Sequence, residues 1–337
     1  MTMGTVLKMG LRLSRQGYPY LVEKPEMPRI VDRFLNSVAY LYPSEAEAED
    51  GVKQGGSGFF VGIRLGPANM ELLCVVTNRH VVDGGSATVR VNTPDGKFDI
   101  IPLDGAKWHY HPDGDDIAVC PIGIYTTLHQ ISSISSDAFL TKKMIEQYDV
   151  GVGDDTFVVG RFTSREGKTR NIPSVRFGAI AQMPADPIVL DDGIAQESYL
   201  IEARSIPGYS GSAVFLTIPP APGPPPIVNP NLSDDIKEQM PEFLKMVGYN
   251  QKRQNYYQLG PWLLGIDYCH IYDTVPVINS VTGSPAVPNM HVRSDTGMMG
   301  VIPAWRLTDI LEGPGIVAAV NHHNLLIERG RKEQGSS

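Results

Sequence analysis

Strand-like runs crowd this chain at intervals too short for anything but antiparallel pairing. Six of them, rich in β-branched and aromatic residues, fall at 37–42, 57–64, 71–77, 87–92, 98–103 and 117–122, with turn signals such as Pro94-Asp95-Gly96 between them. A second six follow at 156–161, 175–182, 198–203, 213–218, 262–268 and 298–302. No helical pattern of ~10–15 residues alternates with the strands, which excludes βαβ units and a parallel sheet. Six plus six predicts an all-β molecule of two six-stranded antiparallel β-barrels. The 34 Gly and 27 Pro suit so many turns.

The remaining segments set the expected domain organisation. Residues 1–35 read as an N-terminal extension with a short helix near 29–36, 36–135 as the N-terminal barrel and 136–155 as a connector with a short helix at 142–147. Residues 156–315 read as the C-terminal barrel, closed by a short amphipathic helix at 303–311 with Pro303 near its first turn, and 316–337 as a C-terminal tail. An insertion at 219–258 interrupts this barrel. Its first part, 219–230, holds seven prolines and predicts a stiff, extended stretch, whereas 232–258 predicts a polar helix with one apolar face. Residues 274–297, rich in Pro, Ser and Gly, predict a long loop of the kind that often carries function.

Charge and hydropathy narrow the functional classes. A net charge of −8 without a compact basic cluster argues against a nucleic-acid partner. No run approaches the ~18 apolar residues that span a bilayer, so no membrane partner is expected. Residues 1–17 are interrupted by Lys8, Arg12 and Arg15 and do not read as a signal peptide. Three cysteines, Cys74, Cys120 and Cys269, are too few and too odd a set for a disulfide framework; they predict buried, reduced thiols and a cytoplasmic protein.

Chemistry concentrates in three short blocks. Pro207-Gly208-Tyr209-Ser210-Gly211-Ser212-Ala213-Val214 places one hydroxyl between glycines, on a turn that runs into an apolar strand. Glycines on both sides leave the hydroxyl uncovered and free backbone N–H groups to face whatever it attacks. A serine hydroxyl needs an adjacent base, and that base needs a third group to fix its tautomer. Cys74-Val75-Val76-Thr77-Asn78-Arg79-His80 offers a histidine where an apolar strand ends, and Gly114-Asp115-Asp116-Ile117-Ala118-Val119 offers a carboxylate just before another.

In this order the three blocks resemble those of the chymotrypsin/trypsin-like serine proteases, over about residues 36–312. The resemblance implies a trypsin-like pair of barrels with His80 as general base, Asp116 as its orienting partner and Ser210 as nucleophile. Asp115 is the alternative third member. The backbone N–H groups of Gly208 and Ser210 become the oxyanion hole, the substrate is a protein or peptide, and no cofactor or metal is required. Tyr209 stands where the pancreatic members carry an aspartate that pairs with a newly cut N-terminus. Activation by such a cut is therefore not expected, which places the chain nearer cytosolic, single-chain bacterial or viral branches.

Specificity is open at this level. By resemblance, Arg204 falls at the floor of the primary pocket and would favour an acidic side chain. Asp267 would favour a basic one, His270 could serve either, and the charges of Arg204 and Asp267 could simply pair. An unrestrained protease would be toxic, so narrow specificity in signalling or defence, or gating by a regulatory partner at 219–258, is expected. The competing class is a catalytically silent or gated protease-like binding module. The His109–His111 block lacks the final histidine of a metallo-β-lactamase-type metal motif, and Ser210 is followed by a strand, not the helix of an α/β-hydrolase elbow. Gly51-Val52-Lys53-Gln54-Gly55-Gly56-Ser57 has phosphate-loop glycine spacing, but Ser57 sits at the lysine position; it reads as a turn leading into the next strand.

Overall fold

A computed structural model of the chain describes residues 30–51, 55–66, 70–124, 127–189, 195–203, 208–218, 259–287 and 290–335. The insertion expected at 219–258, Arg204 and residues 1–29 of the expected extension lie outside them. The chain divides into Met1–Val31 and Asp32–Ser337, and everything below concerns the second unit.

Its elements run α1 (Asp32–Leu35), β1 (Val38–Tyr42), α2 (Glu45–Asp50), β2 (Gly56–Leu65), β3 (Met70–Thr77), α3 (Arg79–Asp83), β4 (Thr88–Asn92), β5 (Phe98–Pro102), β6 (His109–Tyr110), β7 (Ala118–Ile124) and β8 (Ile134–Ser135). Then come α4 (Lys142–Tyr148), β9 (Asp155–Gly160), β10 (Ser174–Gln182), β11 (Ile188–Val189), β12 (Ala195–Gln196), β13 (Tyr199–Glu202), β14 (Ala213–Ile218), β15 (Leu259–Pro276), β16 (His291–Pro303), α5 (Ala304–Leu311) and α6 (Pro314–Gly335). Each of the twelve predicted strands coincides with one of these.

The C-terminal half is the expected closed barrel of six strands, β10-β13-β16-β15-β14-β9. The N-terminal half differs. It is an eight-stranded sheet ordered β5-β4-β1-β2-β3-β7-β6, with β8 added in parallel on β2, and among the described residues its ends do not pair. The strands that would have to meet are poorly equipped to do so: β5 ends on Pro102, which has no N–H to donate, and β6 is two residues long.

Two further expectations are corrected. The stretch 274–297 is not one long loop. β15 continues to Pro276 and β16 starts at His291, so that Thr274 pairs with Arg293 and Val275 with Val292 in a two-stranded ribbon. β-Branched residues carry the ladder outward, and the Pro, Ser and Gly that suggested a loop are concentrated toward its tip. The expected tail is a 22-residue helix, α6, which opens on Pro314 where a proline costs no hydrogen bond.

Each half has its own apolar core. Leu41, Phe60, Val75, Val81 and Val89 cluster in the N-terminal sheet, and Val158, Ile201, Tyr209, Val214, Leu264 and Val301 in the barrel. A buried polar seam joins them. Arg161 is fully buried, bonds Glu166 at 2.6 Å and donates to the Leu41 carbonyl at 3.0 Å, with its guanidinium 4.0 Å from the Tyr42 ring. Arg90, also fully buried, donates to Asn171 Oδ1 and the Ala48 carbonyl. Buried cations held this way fix geometry between elements, because losing any partner strands a charge.

Candidate active site

The three candidate residues sit beside core anchors. His80 precedes Val81, Asp116 precedes the fully buried Ile117, and Ser210 follows the fully buried Tyr209. Each candidate side chain thus stays at least partly exposed while its neighbour is packed inside. His80 lies in the first turn of α3, directly after β3.

His80 and Asp116 form a closely matched pair. The carboxylate accepts from the His80 backbone N–H through Oδ1 at 2.8 Å and meets Nδ1 through Oδ2 at 2.6 Å. A carboxylate only accepts, so Nδ1 carries the proton and Nε2 keeps its lone pair. Burial alone would lower the His80 pKa. The hydrogen bond and charge of Asp116, with smaller contributions from Asp267 and Asp83, outweigh it and hold the ring above its ordinary value. Asp116 is itself fixed from two sides: its carbonyl accepts from Asn78 Nδ2 at 2.9 Å, and its N–H donates to Oε1 of the buried Gln196 at 3.1 Å.

Asp115 does something else. Its carboxylate accepts from Arg306 Nε, while Arg306 Nη2 reaches Asp113 at 3.0 Å. Arg306 belongs to α5 on the barrel side, so Asp115 ties the Asp116 loop to the other half of the molecule. His111 joins the same group, Nε2 against Asp309 at 3.3 Å and Nδ1 accepting from the Asp113 N–H. Among the described residues, no group of three or more His, Cys, Asp or Glu is placed to hold a metal ion.

The serine turn is held as tightly. Gly211 adopts φ +88°, and a Cβ there would lie 2.1 Å from the Ser57 carbonyl oxygen, so both conformation and space demand glycine. The Ser212 N–H closes the turn on the Tyr209 carbonyl, and the Gly211 N–H donates to the Asp267 carbonyl on β15. Among the described residues, the N–H groups of Gly208 and Ser210 have no acceptor, and Ser210 Oγ makes no hydrogen bond to His80. The turn and the histidine helix nevertheless meet at Gly56, where a Cβ would lie 3.0 Å from the Ser210 carbonyl and 2.9 Å from Val81.

Tyr209 explains what replaces a charged anchor. It is fully buried in the barrel core, its hydroxyl 2.5 Å from Ser174 Oγ and its ring 5.5 Å from the Arg176 guanidinium. Tyr209→Phe removes only the hydroxyl bond and is expected to cost about 1 kcal/mol in denaturant unfolding. A cost of several kcal/mol would mean that the hydroxyl, not the packed ring, holds the turn.

The specificity candidates divide. Asp267 is 1% exposed and its charge reaches His80. His270 is half-buried beside Tyr272, and burial and the His80 charge lower its pKa against an opposing pull from Asp295. Both therefore lie near the histidine, while Arg204 is outside the described residues. The three cysteines are free, Cys74 and Cys120 buried and Cys269 half-buried. Gln196, Asn78 and Arg306 escaped the sequence reading. Only Asn78 offered a local signal, two residues before His80 in the same block.

A family model described as trypsin-like peptidase domain matches residues 56–217. No curated protein matches the chain. Among solved structures, it is similar to the MamO protease domain from Magnetospirillum magneticum in its apo form, with 16% identity, a TM-score of 0.45, and coverage of 83% of this chain and 98% of that one. It is also similar to the HtrA-type protease AlgW with a decapeptide, with 15% identity, a TM-score of 0.40, and coverage of 87% of this chain and 66% of that one. The domain match takes in the His80, Asp116 and Ser210 blocks together.

Proposed function

We propose that the chain is a serine endopeptidase that hydrolyses protein or peptide substrates through His80, Asp116 and Ser210. The observation that carries this reading is the two-point grip of Asp116 on His80, which leaves Nε2 as the basic nitrogen of the ring. In the mechanism, Ser210 Oγ attacks the scissile carbonyl while His80 Nε2 takes its proton. The N–H groups of Gly208 and Ser210 stabilise the tetrahedral oxyanion. His80 then protonates the leaving amine, and water, deprotonated by His80, releases the acyl group from Ser210. Asp116 holds the tautomer and stabilises the imidazolium throughout.

A fluorophosphonate probe tests the proposal directly. Wild-type protein should be labelled and Ser210→Ala should not; labelling that survives the substitution rejects the nucleophile. A cleavage profile on a peptide library then assigns the pocket: an acidic P1 residue points to Arg204, a basic one to Asp267.

The pH dependence has a definite sign. Protonated His80 cannot accept the serine proton, so kcat/KM falls as pH drops through the His80 pKa. Because Asp116 holds that pKa above its ordinary ~6.5, the acid limb should have its midpoint above 6.5. A midpoint below this value would place another group in the role of base.

A second reading, a gated form of the same enzyme with narrow specificity, is favoured by the lack of a hydrogen bond between His80 and Ser210 among the described residues. Catalytic hydrogen bonds often tighten only when substrate binds. Full fluorophosphonate labelling without any partner would reject gating.

A further inference from the structure

We infer that Ser57, in the opposite half of the molecule from Ser210, is the positioning residue that sets the oxyanion turn. This rests on Ser210 being the nucleophile, and it adds a residue that touches no reacting atom. Ser57 stands second in β2, is fully buried, and uses every polar group it has. Its Oγ donates to the Gly208 carbonyl at 2.6 Å and accepts from the Arg161 N–H at 2.8 Å. Its N–H donates to the Ser210 carbonyl at 2.8 Å, and its carbonyl accepts from Thr77 Oγ1 at 2.7 Å.

The geometry gives these bonds a purpose beyond packing. Gly208 and Ser210 are the two residues whose N–H groups the oxyanion would need. Ser57 grips the carbonyl of each, one with its side chain and one with its backbone. A carbonyl held on one side fixes the peptide plane that follows Gly208 or Ser210 and so restrains ψ of that residue, the torsion that relates this plane to the preceding one, in which the residue's own N–H lies. Gly208, at φ +99°, has no side chain to restrict it, so an external clamp is what limits its freedom. Through Thr77 the same serine touches the strand end from which Asn78 and His80 follow. Through Arg161 it reaches the buried ion pair with Glu166. One residue therefore sets the distance between the nucleophile turn and the histidine.

Ser57→Ala in the full chain tests this. Misplacing an oxyanion donor by about 1 Å costs on the order of 10²-fold in rate. The variant should therefore lose about 10²-fold in kcat on a library-derived fluorogenic peptide, with KM changed less than about 3-fold. Affinity for a peptide aldehyde, whose adduct with Ser210 carries the oxyanion, should weaken in parallel with kcat. Amide hydrogen exchange at 208–211 should quicken while 262–266 is unchanged. If activity per labelled site is intact and only the labelled fraction falls, Ser57 is merely structural and the inference fails. Should Ser57→Ala not fold, Thr77→Val removes the hydroxyl that fixes the Ser57 carbonyl and should move the same readouts in the same direction; no movement overturns the clamp. If wild-type protein is not labelled at Ser210, either the site is held closed or the protease reading fails, and exchange at 208–211 alone decides: faster exchange in the variant upholds the clamp, and unchanged exchange rejects it.

Discussion

Ser210→Ala is expected to lower kcat by about 10⁶ while leaving the fold untouched. The reason lies in how the turn is built. Tyr209 is locked in the barrel core and Gly211 is pinned against Ser57 and Asp267, so the backbone at 210 is determined by its neighbours and not by its own side chain. Ser210 Oγ makes no bond to His80 among the described residues, so its removal strands no partner there. Stability should change by no more than about 0.5 kcal/mol. His80→Ala should cost a similar factor, and the double variant little more than either, because base and nucleophile act as one unit. The measurement is turnover of a cleaved peptide normalised to folded protein. A Ser210→Ala enzyme that keeps more than about 1% of wild-type kcat would remove Ser210 from the chemistry.

Much of this arrangement is legible in the sequence because it is local. Period-two runs mark the strands, and the three candidate residues stand beside apolar anchors, at Val81, Ile117 and Tyr209. What could not be read is set by contacts between residues far apart in the chain. The Asp-Ile-Ala register favours Asp116 over Asp115, but the partner that holds Asp115, Arg306, lies 191 residues downstream and leaves no local mark. Ser57 looked like part of a glycine-rich turn because its partners, Gly208 and Arg161, lie 151 and 104 residues away. Sheet closure was over-read for a related reason. Strand count is written in the sequence, but closure needs the two outermost strands to be long enough and to have donors, and β5 and β6 are not so equipped. The ribbon at 274–297 was missed because its tip composition masked the Thr274, Val275 and Val292 ladder.

Asp116→Asn should lower kcat by about 10⁴, less than loss of the nucleophile but far more than loss of an ordinary surface charge. An asparagine can keep one of the two bonds that Asp116 makes, accepting from the His80 N–H through its carbonyl oxygen. The other position then presents an NH₂ group to Nδ1, where a carboxylate oxygen now sits at 2.6 Å. Two donors cannot face each other, so the ring must shift its proton to Nε2 and lose the lone pair that would accept the serine proton. The charge is lost as well, so burial is left as the main influence on His80 and the acid limb of kcat/KM should move to lower pH than in the wild type. Asp115→Asn gives the contrast. It weakens the tie to Arg306 but leaves the His80 tautomer alone, and it should reduce kcat less than about 10-fold while lowering the unfolding midpoint. If Asp115→Asn instead produced the ~10⁴-fold loss and the shifted limb, the third member of the triad would be Asp115, and Asp116 would be the residue that merely braces the loop.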